Sequence, residues 1–108
     1  MTSRSHSRVV HHVARILGTQ VRAGRLERGW TVTQLAERAG VTEKTVRNVE
    51  QGSLGVALGT ALDCAVLVGV TLFYEDERRL AAEAERGRAV LIGKRVRRKA
   101  PKEVDLDF

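Results

Sequence analysis

The sequence predicts an all-α protein, and three features of its 108 residues favour that fold class. Proline occurs once and aromatic residues make up 4% of the chain, whereas the helix formers alanine, leucine, glutamate and arginine are abundant. Apolar residues recur at spacings of three and four, the period of an amphipathic helix. The one β-prone run, Val66 to Tyr74, is interrupted by Gly69, so the strand signal is weak.

The length and net charge of the chain limit the number of domains and the kinds of partner before any motif is considered. A chain of this length suffices for one domain with one core. The net charge of +6 is uneven, because residues 1–74 carry +4, residues 75–93 carry −1 and residues 94–108 carry +3. Such a balance favours polyanionic partners, nucleic acid first and an anionic membrane second.

The sequence contains a single cysteine, Cys64, so no intrachain disulfide can form. Its apolar surroundings predict a small core residue, which fits a reducing compartment. The N-terminal segment lacks the apolar run of a signal peptide, and no stretch is apolar enough for a membrane span. We therefore expect a cytoplasmic protein.

The first helix is predicted from about Val9 to Arg28, after a flexible arm at residues 1–8. Gly29 is a suitable C-terminal stop, and Trp30 is expected to lie against the core. Gly24 is expected to permit close approach of another helix. The apolar stripe of this helix is formed by Val10, Val13, Leu17, Val21 and Gly24.

Two short helix patterns follow and meet at a turn. Thr31 or Thr33 caps the second helix, which ends at Gly40, and Thr42 caps the third, which runs from Glu43 to about Gln51. Their inward faces are narrow and apolar, whereas their outward faces are compact and polar. We interpret residues 31–52 as a helix-turn-helix. The outward faces carry Thr33, Gln34, Glu43, Lys44, Thr45, Arg47 and Asn48.

The remaining chain is predicted as a fourth helix, a connector and a fifth helix. The fourth helix spans about Leu58 to Val68, and residues 70–74 are either a short strand or an extended connector. The fifth spans Glu75 to about Leu91, with Gly87 as a potential break. It defines a C-terminal helical segment at residues 75–93. Residues 94–108 form a flexible tail, basic first and acidic later. The inward residues of the fourth helix are expected to be Leu58, Leu62, Ala65 and Val66.

The spacing of these residues resembles that of the Xre-type helix-turn-helix regulators, which include the lambdoid phage repressors. The resemblance covers about half of the chain. It implies a five-helix lambda-repressor-like DNA-binding domain at residues 9–74, here with an extra C-terminal helix and a disordered basic and acidic tail. The matching positions are Leu17, Gly29, Thr31, Leu35-Ala36, Gly40-Val41-Thr42, Val46, Glu50, Gly52 and Gly69-Val70.

The resemblance also implies roles for individual residues. Base contacts would come from Glu43, Lys44, Arg47 and Asn48, with Lys44 or Arg47 donating to guanine, Asn48 pairing with adenine, and Glu43 either accepting from cytosine or only capping the helix. Arg25 and Glu50 match a structural ion pair. The candidates for phosphate contact are Thr33, Thr42, Thr45 and Arg22.

Two departures from the family pattern weaken the expected anchoring on DNA. Val32 stands where the family usually has glutamine, and the loop at residues 53–57 has no basic residue. The backbone N–H groups of residues 55–59, the arginines of the first helix, the N-terminal arm or the tail at 94–102 are the candidates to replace the missing contacts.

The expected partners are double-stranded DNA and a second copy of the chain. Residues 70–74 with Leu80, Ala84 and Leu91 are candidates for the dimer contact, or else cover the monomer core. The stretch 52–70 and the charged end also resemble HipB-type antitoxins, which pair with a HipA-like kinase toxin and repress their own operon.

Other classes of function receive less support from the sequence. The alternative to a DNA-binding regulator is a protein-interaction module with weak, non-specific DNA binding. No catalytic constellation, phosphate-binding glycine loop or metal-ligand spacing is present, so neither an enzyme nor a cofactor is expected. His6, His11 and His12 are interpreted as solvated side chains, and a membrane-surface role is disfavoured because the apolar faces are needed for the core.

Overall fold

The computed structural model describes residues 5–96, with side chains described for residues 5–94. No strand occurs within residues 5–96, so the predicted all-α class is confirmed. The described residues form five helices, and the C-terminal helix is the fifth of these five and not an additional one. The helices are α1 (Arg8–Glu27), α2 (Val32–Ala39), α3 (Glu43–Glu50), α4 (Leu58–Leu67) and α5 (Glu77–Val96).

Helices α1 to α4 belong to one compact unit that ends at Thr71. In this unit α1 packs against α3 and α4, and α2 packs against the same two helices. Cys64 is fully buried, as predicted. The hydrophobic core consists of Val21, Leu35, Ala36, Val46, Val49, Cys64, Ala65 and Val68.

Helix α1 begins one residue earlier than predicted, because Ser7 caps it. The Ser7 hydroxyl accepts a hydrogen bond from the Val10 N–H at 3.3 Å. Arg8, assigned to the flexible arm, therefore lies in the helix, and residues 1–4 of that arm lie outside the described residues. The prediction for Val13 is wrong: its side chain is 59% exposed. At 3.6 residues per turn it lies about 80° around the helix from the buried Val21.

The predicted inward face of α4 is partly wrong as well. Ala65 is buried, but Leu58 is 72% exposed and Val66 is 65% exposed. Cys64, Ala65 and, one turn on, Val68 form the buried side instead. Helix α4 carries apolar residues nearly all round, so the sequence period could not fix which side faces inward.

Most of the connector and α5 belong to a second unit, which starts at Leu72. Residues 70–76 contain no strand, so the connector alternative is the one observed. Helix α5 begins at Glu77, two residues later than predicted, and it passes through Gly87 without a break. Lys94–Val96, assigned to the flexible tail, are helical, and residues 97–108 lie outside the described residues. No helix within residues 5–96 is long and apolar enough to cross a membrane.

Candidate nucleic-acid interface

Helix α2 starts at a capping box. The Thr31 hydroxyl accepts from the Gln34 N–H at 3.1 Å, and the Gln34 side-chain oxygen accepts from the Thr31 N–H at 2.8 Å. Two of the N–H groups that lack a helical partner at the helix start are thus satisfied by neighbouring side chains. Of the two predicted caps, Thr31 is the one observed, and Thr33 is free to lie on the outer face of the helix.

A tight turn at residues 40–42 joins α2 to α3. Gly40 has a φ of 69° and a ψ of 35°, a left-handed conformation that glycine adopts without steric penalty. The next N–H, of Val41, donates to the Ala36 carbonyl at 3.0 Å. Thr42 then caps α3, accepting from the Thr45 N–H at 3.1 Å. The sequence thus sets where one helix ends and the next begins.

Buried apolar residues fix the angle between the two helices. Leu35 of α2 and Val46 of α3 are fully buried, and Ala36 and Val49 are nearly so. Burial of side chains of this size contributes about 1.5–3 kcal/mol each, so the pair of helices is held as one body. The opposite face of α3 is left to solvent.

The four predicted base-contact residues lie together on the first two turns of α3. Their spacing, two adjacent residues followed by two more one turn later, places them on one side of the helix. Lys44 and Arg47 are exposed, whereas Glu43 and Asn48 are partly buried. This face combines cationic donors with an amide, the side-chain types that bind guanine and adenine edges in the major groove.

Glu43 connects α2 to α3 through its carboxylate. One oxygen accepts from the Thr33 hydroxyl at 2.8 Å, and the other accepts from the Arg47 guanidinium at 3.1 Å. The sequence pattern offered Glu43 as a base reader or a helix cap and did not predict this bridge. The i, i+4 spacing of Glu43 and Arg47 was its one visible signal.

The predicted phosphate-contact residues are not all equally available. The Thr33 hydroxyl donates to Glu43, and the hydroxyls of Thr42 and Thr45 lie 2.9 Å apart in a mutual hydrogen bond. A phosphate accepts hydrogen bonds only, so Thr33 must release Glu43 before it can bind one. Arg22 is exposed on α1, outside the turn.

A buried ion pair ties α1 to the end of α3. The Arg25 Nε and Nη2 atoms donate to the two Glu50 carboxylate oxygens at 2.7 and 3.1 Å, and Nη1 donates to the Trp30 carbonyl at 2.9 Å. The two side chains are 9% and 8% exposed. Hydrogen bonding to Glu50 raises the pKa of Arg25 above its ordinary value, although burial acts in the opposite direction. The structure therefore brings the two residues together away from the outward face.

Glycines on α1 set how closely the supporting helices approach. A Cβ at Gly18 would lie 2.5 Å from the Val49 carbonyl oxygen and 2.6 Å from that of Glu50. Gly24 meets Val68 at the end of α4 in the same way, which is the close approach predicted for it. The role of Gly18 was missed, because a glycine inside a helical pattern signals weakening and does not identify its neighbour.

The folded arrangement of α2, turn and α3, with a polar face on α3 and a buried support beneath it, defines a DNA-binding helix-turn-helix protein. Residues 16–81, more than half of the chain, match the family model described as a helix-turn-helix domain. The chain belongs to this helix-turn-helix domain family. No curated protein and no solved structure matched it significantly.

Proposed function

We propose that the protein is a sequence-specific transcriptional repressor that binds an inverted repeat as a homodimer. The observation that carries this proposal is the face of α3, where Lys44 and Arg47 are exposed above a fully buried Val46. A rigid helix with base-compatible side chains on its first two turns suits insertion into the major groove.

Phosphate contacts must complement this face, because they supply much of the affinity for DNA. Val32 contributes no polar side chain at the start of α2, and in the uncharged loop the Gly55 N–H already donates to the Ser53 hydroxyl at 3.3 Å. We therefore assign phosphate binding chiefly to Arg22 and to Arg8 and Arg15, the other exposed arginines of α1. The basic residues 97–102, which lie outside the described part, are additional candidates.

The proposed dimer contact lies in the connector and α5. Phe73 has a φ of 70° and a side chain that is 91% exposed. A bulky residue held in this conformation is uncommon, and such strain concentrates at functional segments. Leu91 on α5 is 67% exposed. Pairing two chains here would join two copies of α3 in one molecule, as paired helix-turn-helix proteins do when they read two half-sites about one helical turn of DNA apart.

An antitoxin role is the narrower form of the proposal and rests on the resemblance of residues 52–70 and the charged end. A tail of alternating acidic and apolar residues is suited to folding on a protein partner. Removing residues 97–108 keeps every described residue of α5, which extends to Val96. We expect a kinase-like toxin to co-purify with the full chain and to be lost on that deletion, while retention by the shortened chain would exclude the tail as its binding segment.

The proposal is tested by an electrophoretic shift with duplex from the chain's own upstream region and a scrambled duplex. We expect a marked preference for the natural sequence and an affinity that falls steeply with salt. Lys44→Ala and Asn48→Ala should each lower discrimination by about 1–3 kcal/mol, because each removes a base contact.

Arg88→Ala and Gln20→Ala are the matched controls, since they remove an exposed cation and an exposed amide from other helices. They should leave the preference unchanged. Equal binding of both duplexes by the parent protein would contradict the proposal and favour a protein-interaction module.

A further inference from the structure

The Glu43 bridge occupies two residues of the proposed DNA-binding face in the free protein. Its two carboxylate oxygens accept from Thr33, ten residues earlier on α2, and from Arg47, one turn later on α3. The Glu43 and Arg47 side chains are 44% and 55% exposed. The bridge therefore lies at the surface that would meet DNA, in contrast to the buried pair beneath it.

We propose that Glu43 is a positioning residue that makes Arg47 selective for a base edge over a phosphate. This inference rests on the proposed function, since it assumes that α3 enters the major groove. Thr33 holds the carboxylate from the neighbouring helix, so the guanidinium of Arg47 is kept along α3 instead of turning freely toward the DNA backbone.

The strengths of the competing contacts support this selectivity. An exposed i, i+4 ion pair on a helix favours the paired state by only about twofold. A well-placed two-point contact between arginine and guanine discriminates by about 5- to 150-fold. A guanine edge can therefore replace the ion pair between Arg47 and Glu43, or bind Arg47 in addition to it, at little cost in free energy.

A phosphate is a poorer competitor for the same guanidinium. It carries the same sign of charge as the Glu43 carboxylate, so bringing it to Arg47 places two anions near one cation. The carboxylate thus weakens contacts that occur on any DNA sequence more than it weakens the specific contact. Like-charge exclusion of this kind is a common source of specificity at binding surfaces.

The test is Glu43→Gln, which removes the charge and keeps an oxygen that can accept from Thr33. The probes are a duplex enriched by the parent protein from a random library and a scrambled duplex of equal composition. We expect affinity for the scrambled duplex to rise about fivefold more than affinity for the enriched duplex. The affinity for the scrambled duplex should also depend more steeply on salt, by about one released counterion, because Arg47 gains a phosphate contact.

Glu27→Gln is the control for net charge, because it removes the same charge from an exposed residue at the end of α1. It should change both affinities together and preserve their ratio. Melting curves should be nearly equal for the two variants, since both carboxylates are at the surface.

A double-mutant cycle with Arg47→Ala identifies the route of the effect. If Glu43 acts through Arg47, Glu43→Gln should have no effect on the ratio in the Arg47→Ala background. An unchanged ratio in the single variant, or the same change in both backgrounds, would overturn the inference. Loss of preference at one cytosine alone would also overturn it, because Glu43 would then be a direct reader. A parent protein that does not discriminate between the probes would instead refute the proposed function.

Discussion

Arg25 is a charged residue buried beside the hydrophobic core, and its equally buried partner Glu50 determines whether that burial is tolerable. Glu50 offers two oxygens to it, and the Trp30 carbonyl accepts from a third nitrogen. A buried ion pair adds little over a well-packed apolar pair, but removal of one partner strands the other charge. We therefore interpret these residues as support for α3.

This interpretation predicts that Glu50→Ala lowers the free energy of unfolding by about 3–5 kcal/mol, because Arg25 would be left buried without its counter-charge. Thermal or urea unfolding measures the change. Glu43→Ala is the control, since it breaks an exposed ion pair and should lower stability by less than about 1 kcal/mol. A Glu50→Ala protein of parental stability but altered DNA preference would show that Glu50 reads DNA.

At the residue scale, the sequence predicted the Arg25–Glu50 pair and the burial of Cys64, but it did not predict the hydrogen bonds of Glu43. The Arg25 and Glu50 pairing followed from family resemblance, and the side chains do meet. The burial of Cys64 followed from its apolar neighbours, and that burial, with the charges of Asp63 and Glu50, raises the pKa of its thiol. The Glu43 bridge was not predictable, because Thr33 comes close only after the turn sets the two helices side by side.

At the scale of helices, α1 approaches the end of α3 closely because Gly18 has no side chain. Gly18 faces the last carbonyls of α3, and the neighbouring atoms are backbone, which cannot swing away as a side chain would. The position of α3 therefore depends on a residue that has no side chain and lies outside the helix-turn-helix.

Gly18→Ala should consequently destabilise the protein by about 1–3 kcal/mol, since overpacking outweighs the gain in helix propensity of up to about 1 kcal/mol. Gly59→Ala is the matched control on α4, where an added Cβ meets nothing within 4 Å and should leave stability equal or slightly higher. Chemical denaturation compares the two. A Gly18→Ala protein as stable as Gly59→Ala would contradict the proposed close packing.

The sequence predicted helix boundaries most accurately where side chains cap the backbone. Gly40 placed the end of α2 and Thr42 the start of α3 correctly, because their hydrogen bonds are local. It failed for the inward face of α4, where Leu58 and Val66 are exposed, since an evenly apolar helix does not encode its own rotation. It also left open a break at Gly87, and the helix continues through this residue.

At the scale of the whole molecule, the net charge of +6 and the helix-turn-helix favour the same polyanionic partner. A single recognition helix contacts only a few base pairs, so the proposed specificity depends on a second copy of α3. We propose that the α3 face of Lys44, Arg47 and Asn48 reads DNA in a paired protein.

Selection of bound fragments from a random DNA library, with the parent protein and with Asn48→Ala, tests this claim most directly. We expect the parent to enrich an inverted repeat whose half-sites are centred about 34 Å apart. Asn48→Ala should keep that spacing and lose one adenine preference in each half-site, because its amide is the group that pairs with adenine. No enrichment by the parent, or an identical motif from the variant, would contradict the account.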